Sequence, residues 1–108
     1  MKWEKYNPDW LVKLAEKQLP KEKWLHEALK QCTEYSIESE LYNYFVPSEN
    51  PNKPGSKWQF DKCISLEDPK EGSLVLDILK SGQVGGIEFL GRMGFSLNSE
   101  FIEIEIDE

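Results

Sequence analysis

The stretch Ser73-Leu74-Val75-Leu76-Asp77-Ile78-Leu79-Lys80-Ser81-Gly82-Gln83-Val84-Gly85-Gly86-Ile87-Glu88-Phe89-Leu90 decides the fold. Two apolar, β-branched-rich runs flank Ser81-Gly82, and a Gly-containing pair between such runs reads as a hairpin. A two-residue turn sets Lys80 opposite Gln83 and fixes the register: Ile78 with Gly85, Asp77 with Gly86, Leu76 with Ile87, Val75 with Glu88 and Leu74 with Phe89. Leu74, Leu76, Ile78, Ile87 and Phe89 then make one continuous apolar face, suited to packing on helices. The opposite face carries Val75, Asp77, Leu79, Val84, Gly86, Glu88 and Leu90. It brings Asp77 and Glu88 into a diagonal relation, with a Cα separation of roughly 5–8 Å, where they read either as solvated acids that discourage non-native association or as a contact surface for a basic partner.

Upstream of the hairpin, Trp58, Phe60, Ile64 and Leu66 share one parity and predict a strand with a single buried face, ending at the turn Asp68-Pro69-Lys70-Glu71-Gly72. Residues 47–56 contain three prolines and a glycine and read as a loop. Ser39 to Val46 is aromatic-rich and stops at Pro47, as a strand does. The first third has helical spacing. Asn7-Pro8 is a start signal, Trp10, Leu11, Leu14, Ala15 and Gln18 follow one face, and Leu19-Pro20 is a stop. A second helix opens at Pro20 with Trp24, Leu25, Ala28, Leu29 and Cys32 on one side. Downstream, Phe101 to Ile106 alternates and predicts a last strand. The expected fold is α+β in one domain over 1–108: helices within about 7–33, packed on a mostly antiparallel meander of four to five strands within about 38–107.

The chain has 108 residues, 39% hydrophobic and 12% aromatic, with 13 basic and 20 acidic side chains and a formal charge of -7. That aromatic content belongs to a folded domain. No apolar run approaches the roughly 20 residues of a membrane span, and Met1-Lys2-Trp3-Glu4-Lys5 lacks the apolar core of a signal peptide, so a cytoplasmic location without membrane contact is expected. Residues 1–30 hold seven Lys against five acids, whereas 31–108 hold six bases against fifteen acids. An acidic field of this kind repels nucleic acid and attracts basic proteins over a Debye length of roughly 8 Å. Tyr42, Tyr44 and Trp58 lie among Glu38, Glu40, Glu49 and Asp61, which does not suit a base-stacking groove; core packing explains most of the aromatic residues, and a few exposed beside acids would suit a protein interface.

Catalytic motifs are scarce. His26, the sole histidine, lies in a helix without an orienting partner and reads as structural. Cys32 and Cys63 form no metal spacing; Cys32 reads as a small core residue. Gly91-Arg92-Met93-Gly94 lacks the features of a phosphate loop, and Arg92, the only arginine, has many carboxylates to pair with. Gly85-Gly86 marks either a bulge with a closely packed neighbour or a backbone approach to a ligand. No cofactor and no catalytic or metal-binding residue is assigned.

The quoted hairpin resembles a strand–turn–strand signature of small bacterial domains of unknown function, matched here by Asp77, Gly82 and Gly86-Ile87-Glu88-Phe89-Leu90 over 18 of 108 residues. The extra Gly85 and the helical first third depart from it. The whole chain, small, acidic, helical and then β, also resembles in style the immunity proteins of contact-dependent growth inhibition systems. That resemblance implies a stoichiometric inhibitor of one toxin and carries over no residue roles. The expected function is therefore a non-enzymatic acidic binding protein that neutralises a basic, nuclease-type toxin. Its partner surface would comprise Asp77, Glu88, Glu38 and Glu40, the terminal row Glu103, Glu105 and Asp107, and the aromatic anchors Tyr42, Tyr44 and Trp58. A small enzyme or cation-binding domain built on Asp77 and Glu88 is the alternative, and a homo-oligomer paired through the C-terminal edge strand is a third reading.

Overall fold

A computed structural model describes residues 2–93. It is an α+β fold with helices α1 (Asp9–Gln18) and α2 (Lys23–Lys30) and six strands: β1 (Glu4–Lys5), β2 (Glu34–Ser39), β3 (Tyr42–Tyr44), β4 (Phe60–Asp68), β5 (Gly72–Leu79) and β6 (Val84–Phe89). A 3-10 turn over Leu90–Met93 follows. All pairings are antiparallel, in the order β1-β2-β3-β6-β5-β4.

The expected apolar face is the core face. Leu74, Leu76, Ile78, Ile87 and Phe89 pack with Leu11, Val12 and Ala15 of α1 and with Leu25 and Leu29 of α2. Fully burying each such side chain is worth about 1.5–3 kcal/mol, which gives helices too short to persist alone a reason to form. Asn7 Oδ1 accepts the Asp9 amide at 3.0 Å, and α1 begins at Asp9, just after the proline. His26 is buried and its Nε2 donates to the Leu19 carbonyl at 2.9 Å, tying α2 to the end of α1. Cys32 is buried, as read from the sequence, and burial pushes its thiol up to about 12.

Several expectations change. The sheet is not a simple meander, because β3 pairs with β6 and the chain crosses from there to the far edge at β4. Strands β1 and β2 were not expected. The first has two residues, and the second, Glu-Tyr-Ser-Ile-Glu-Ser, has only Tyr35 and Ile37 to mark its period. The single strand expected over 39–46 is the end of β2, a turn and the three residues of β3. Trp24 lies 39% exposed beneath the Lys62 ammonium, 5.0 Å from the ring centre, and not in the core. A register shift between Phe60 and Lys62 breaks the parity of β4: Ile64 and Leu66 face the helices, Phe60 is exposed, and Trp58 joins Val46 and Leu79 in a separate cluster. The last strand expected over 101–106 lies outside the described residues.

The hairpin turn has three residues rather than two. Leu79 N–H donates to Gln83 O and Gly82 N–H to Leu79 O, each at 2.9 Å, and Gly82 has φ +89°. This is a type I turn closed by a left-handed glycine. Ile78 therefore pairs with Val84, sending Val84 into the core, and the slip is undone at Gly85, which is bulged out so that Asp77 still meets Gly86. A Cβ at Gly82 would touch nothing within 4 Å, so only backbone conformation opposes a side chain there. Gly82→Ala is expected to cost about 1 kcal/mol, and Gly82→Asn less because Asn tolerates this conformation. Urea midpoints of the two variants check the order.

Candidate functional site

The face of the sheet turned away from the helices carries the candidate site, and two hairpins set it up. The β5–β6 register places Val75 opposite Glu88 and Asp77 opposite Gly86. The β4–β5 register, anchored at a turn where Asp68 Oδ2 accepts the amides of Lys70 and Glu71, places Cys63 opposite Asp77. Strand β3 then adds Tyr42 opposite Glu88 and Tyr44 opposite Gly86. Five side chains from four strands, Tyr42, Tyr44, Cys63, Asp77 and Glu88, thus share one surface.

Asp77 is the hub. Its Oδ2 accepts from the Tyr42 hydroxyl at 2.6 Å and its Oδ1 from the Cys63 thiol at 3.5 Å. The first is a short charge-assisted bond, of the kind that orients a carboxylate firmly. Tyr42 reaches Asp77 by lying across Gly86, where a Cβ would come within 2.5 Å of Tyr42 Cζ. The Tyr42 ring meets Tyr44 edge-on at 4.9 Å, and Tyr44 meets Trp58 edge-on at 6.2 Å. Trp58 is buried, and its Nε1 donates to the bulged Gly85 carbonyl at 3.1 Å. The bulge thus supplies the acceptor that seats Trp58, which in turn backs the tyrosines.

The electrostatics are those of an anionic pair without a counter-charge. Among the described residues, neither Asp77 nor Glu88 has a cationic partner; the ion pairs are Lys30 with Glu27 and Arg92 with Glu71. Partial burial and then the charge of Asp77 push the Glu88 carboxyl above its ordinary range. A raised carboxyl stabilises the fold at low pH and loses that contribution as pH rises through its folded value, so ionised Glu88 is a standing cost at neutral pH. Burial and then the bond to Asp77 hold the Tyr42 hydroxyl far above the usual tyrosine range, so it remains a donor. Partial burial of the thiol, the bond to Asp77 and the charges of Asp77 and Glu88 push Cys63 up to about 11, although its backbone lies along the exposed β4 edge.

A thiol at about 11 is almost wholly protonated at pH 8 and reacts slowly despite its exposure. Asp77→Asn removes the charge while keeping an acceptor for Tyr42. It is expected to speed alkylation of Cys63 about tenfold at pH 8. Iodoacetamide kinetics with Cys32 as the buried internal reference measure this.

The remaining expected surface residues do not join this cluster. Trp58 supports from beneath and offers no open surface. Glu38 sits at the irregularity between Ile37 and Ser39 in β2, and Glu40 borders a groove on the helix-bearing side. Glu103, Glu105 and Asp107 lie outside the described residues. Residues 2–93 carry thirteen bases against fifteen acids, so five of the seven excess negative charges fall in residues 100–108. Among the acids of the described body that are in no ion pair, Asp77 and Glu88 are distinguished by the effect of one charge on the other, since Asp77 helps to raise the Glu88 carboxyl.

Cys63 and Gly86 were not singled out as parts of the site from the sequence. Counting back from the Asp68–Gly72 turn would have set Cys63 opposite Asp77. The role of Gly86 as a seat for Tyr42 depends on the β3–β6 pairing, which no local signal announces. Among the described residues, no group of three or more His, Cys, Asp or Glu side chains is placed to hold a metal ion. No helix among them is long and apolar enough to cross a membrane. No family model, curated protein or solved structure matches the chain.

Proposed function

We propose that this chain is a non-enzymatic binding protein that captures a basic protein stoichiometrically on the outer sheet face, in the manner of an immunity protein neutralising a nuclease-type toxin. The observation that carries the reading is the Asp77–Glu88 pair: two carboxylates on one open face, one oriented by Tyr42 and Cys63, with no cation of the described body beside either. A lysine or arginine from a partner would relieve the repulsion that the free protein carries. Tyr42 and Tyr44 would flank it with amphipathic ring surface, the residue type that dominates interface energetics. In a nuclease, the cations available to make that contact are those that otherwise hold phosphate. The carboxylates would thus stand in for the nucleic-acid backbone and be drawn to it by opposite charge.

Co-purification tests the reading. Tagged chain expressed with the protein encoded immediately upstream is expected to hold it in a one-to-one complex that dissociates as salt is raised and that lacks nuclease activity. Retention of full nuclease activity in such a complex would contradict inhibition while leaving binding intact. A saturable tryptophan signal with calcium or magnesium, abolished by Asp77→Asn, would instead favour the cation-binding alternative.

A further inference from the structure

Residues 47–57 leave the sheet after Val46 and return at Trp58, and both ends are held by one backbone group. The bulged Gly85 carbonyl accepts Phe45 N–H at 2.9 Å and Val46 N–H at 3.3 Å on the way out, and Trp58 Nε1–H at 3.1 Å on the way back. Val46 and Trp58 are buried with Leu79, whereas no side chain of 47–57 is buried. Further attachment is polar and gathers around Trp58. Asn52 N–H and Ser56 Oγ–H donate to the Trp58 carbonyl at 2.8 and 3.3 Å, and Asn52 Oδ1 accepts Phe60 N–H at 2.9 Å. A segment with closed ends, two buried anchors and an exposed remainder opens locally at lower cost than the helix-facing core. Its anchors let go together, because the seat at Gly85 has no slack: a Cβ there would lie 2.7 Å from Trp58 Nε1 and 2.6 Å from Leu79 Cδ2.

We propose that residues 47–57 form a strap whose closure on the Gly85 carbonyl holds the Tyr42 hydroxyl on Asp77. The two events meet in adjacent residues and in one ring. Gly85 fastens the strap, and Gly86, the next residue of β6, is the seat of Tyr42. Tyr44 packs on the strap's anchors, edge-on to Trp58 at 6.2 Å, and also on Tyr42, edge-on at 4.9 Å. Its backbone runs directly into the Phe45 and Val46 amides that Gly85 accepts. When the strap opens, Tyr44 loses the surface behind it, and Tyr42 loses the ring that keeps its hydroxyl 2.6 Å from Asp77 Oδ2. Coupling of this kind is reciprocal, so whatever fixes Tyr42 on Asp77 also holds the strap shut. The device belongs to the free chain and does not depend on what the outer face binds.

Amide and hydroxyl hydrogen exchange in the full chain tests the coupling. Trp58→Phe keeps a ring and removes the bond to Gly85. It is expected to lower protection of the Asn52 amide by about tenfold or more, and to speed exchange of the Tyr42 hydroxyl by about threefold or more. Tyr42→Phe removes only the hydroxyl that meets Asp77. It is expected to lower Asn52 protection by about threefold or more, and to have no such effect in a Tyr44→Leu background. Amides at the centre of β5 should keep their protection throughout. A Tyr42 hydroxyl indifferent to Trp58→Phe, or an Asn52 amide indifferent to Tyr42→Phe, overturns the proposal. An equal loss of protection in β5 overturns it as well, since the change would then be one of global stability, and so does an undiminished effect of Tyr42→Phe beside Tyr44→Leu.

Discussion

Glu88→Lys is expected to weaken capture of a basic partner by roughly 30- to 150-fold, the equivalent of about 2–3 kcal/mol, while leaving the fold at least as stable as before. Both halves follow from the same geometry. Glu88 lies on the outer face diagonally from Asp77, and burial together with that neighbouring charge raises its carboxyl above the ordinary range. In the free protein the pair is repulsive, and like charges on neighbouring strands cost about 0.2–1 kcal/mol in this partly exposed setting. A lysine at position 88 would instead attract Asp77. The thermal midpoint should therefore hold or rise by a few degrees, at about 4–8 °C per kcal/mol for a domain of this size. A partner cation meets the reverse situation, since two carboxylates become one carboxylate and a competing ammonium. A variant that folds better and binds worse is the signature of a charge kept for recognition. Loss of both stability and capture would make Glu88 a structural residue.

Gly86→Ala is expected to destabilise the chain by about 2 kcal/mol, or roughly 10 °C in thermal midpoint. A methyl group there would lie 2.5 and 2.6 Å from Tyr42 Cζ and Cε1 and would overlap the hydroxyl. The ring must then leave its place, breaking the 2.6 Å bond to Asp77 and the 4.9 Å edge contact with Tyr44. Asp77 would lose its strongest orienting bond, so capture should fall as well. A double-mutant cycle isolates the cause, because in a Tyr42→Ala background the added methyl has no ring to displace. The cost of Gly86→Ala should shrink there to a few tenths of a kcal/mol, an interaction energy of about 1.5 kcal/mol. A cost unchanged in that background would place the clash elsewhere and break the proposed link from Gly86 through Tyr42 to Asp77.

The hairpin shows how far local pattern reaches. Alternation within 73–90 set the helix-facing residues and the pairing of Asp77 with Gly86 and of Val75 with Glu88, since a one-residue slip would have put Leu76 and Ile87 in water. The same alternation misplaced Val84. A three-residue turn and a one-residue bulge cancel beyond Gly85, and nothing in the period reveals a compensated pair of irregularities. Trp58 was misread for a related reason: the shift near Phe60 turned it from the expected face into a separate cluster with Val46 and Leu79. The assembly of the site was the least legible part. Tyr42 meets Asp77 across 35 positions through a strand of three residues, and its local sequence is equally compatible with pairing to any neighbour. Long-range pairing of so short a strand is settled by what it buries and bonds, here the seat over Gly86 and the hydrogen bond to Asp77.

The central claim is that Asp77 and Glu88 form an anionic pair awaiting a partner's cation, and calorimetric titration of the chain with the protein encoded immediately upstream tests it most directly. The account predicts one-to-one saturation with a dissociation constant that rises steeply with salt, and an affinity lowered at least 30-fold by Glu88→Lys at constant ionic strength. An isotherm that Glu88→Lys leaves unchanged, or one indifferent to salt, would contradict it.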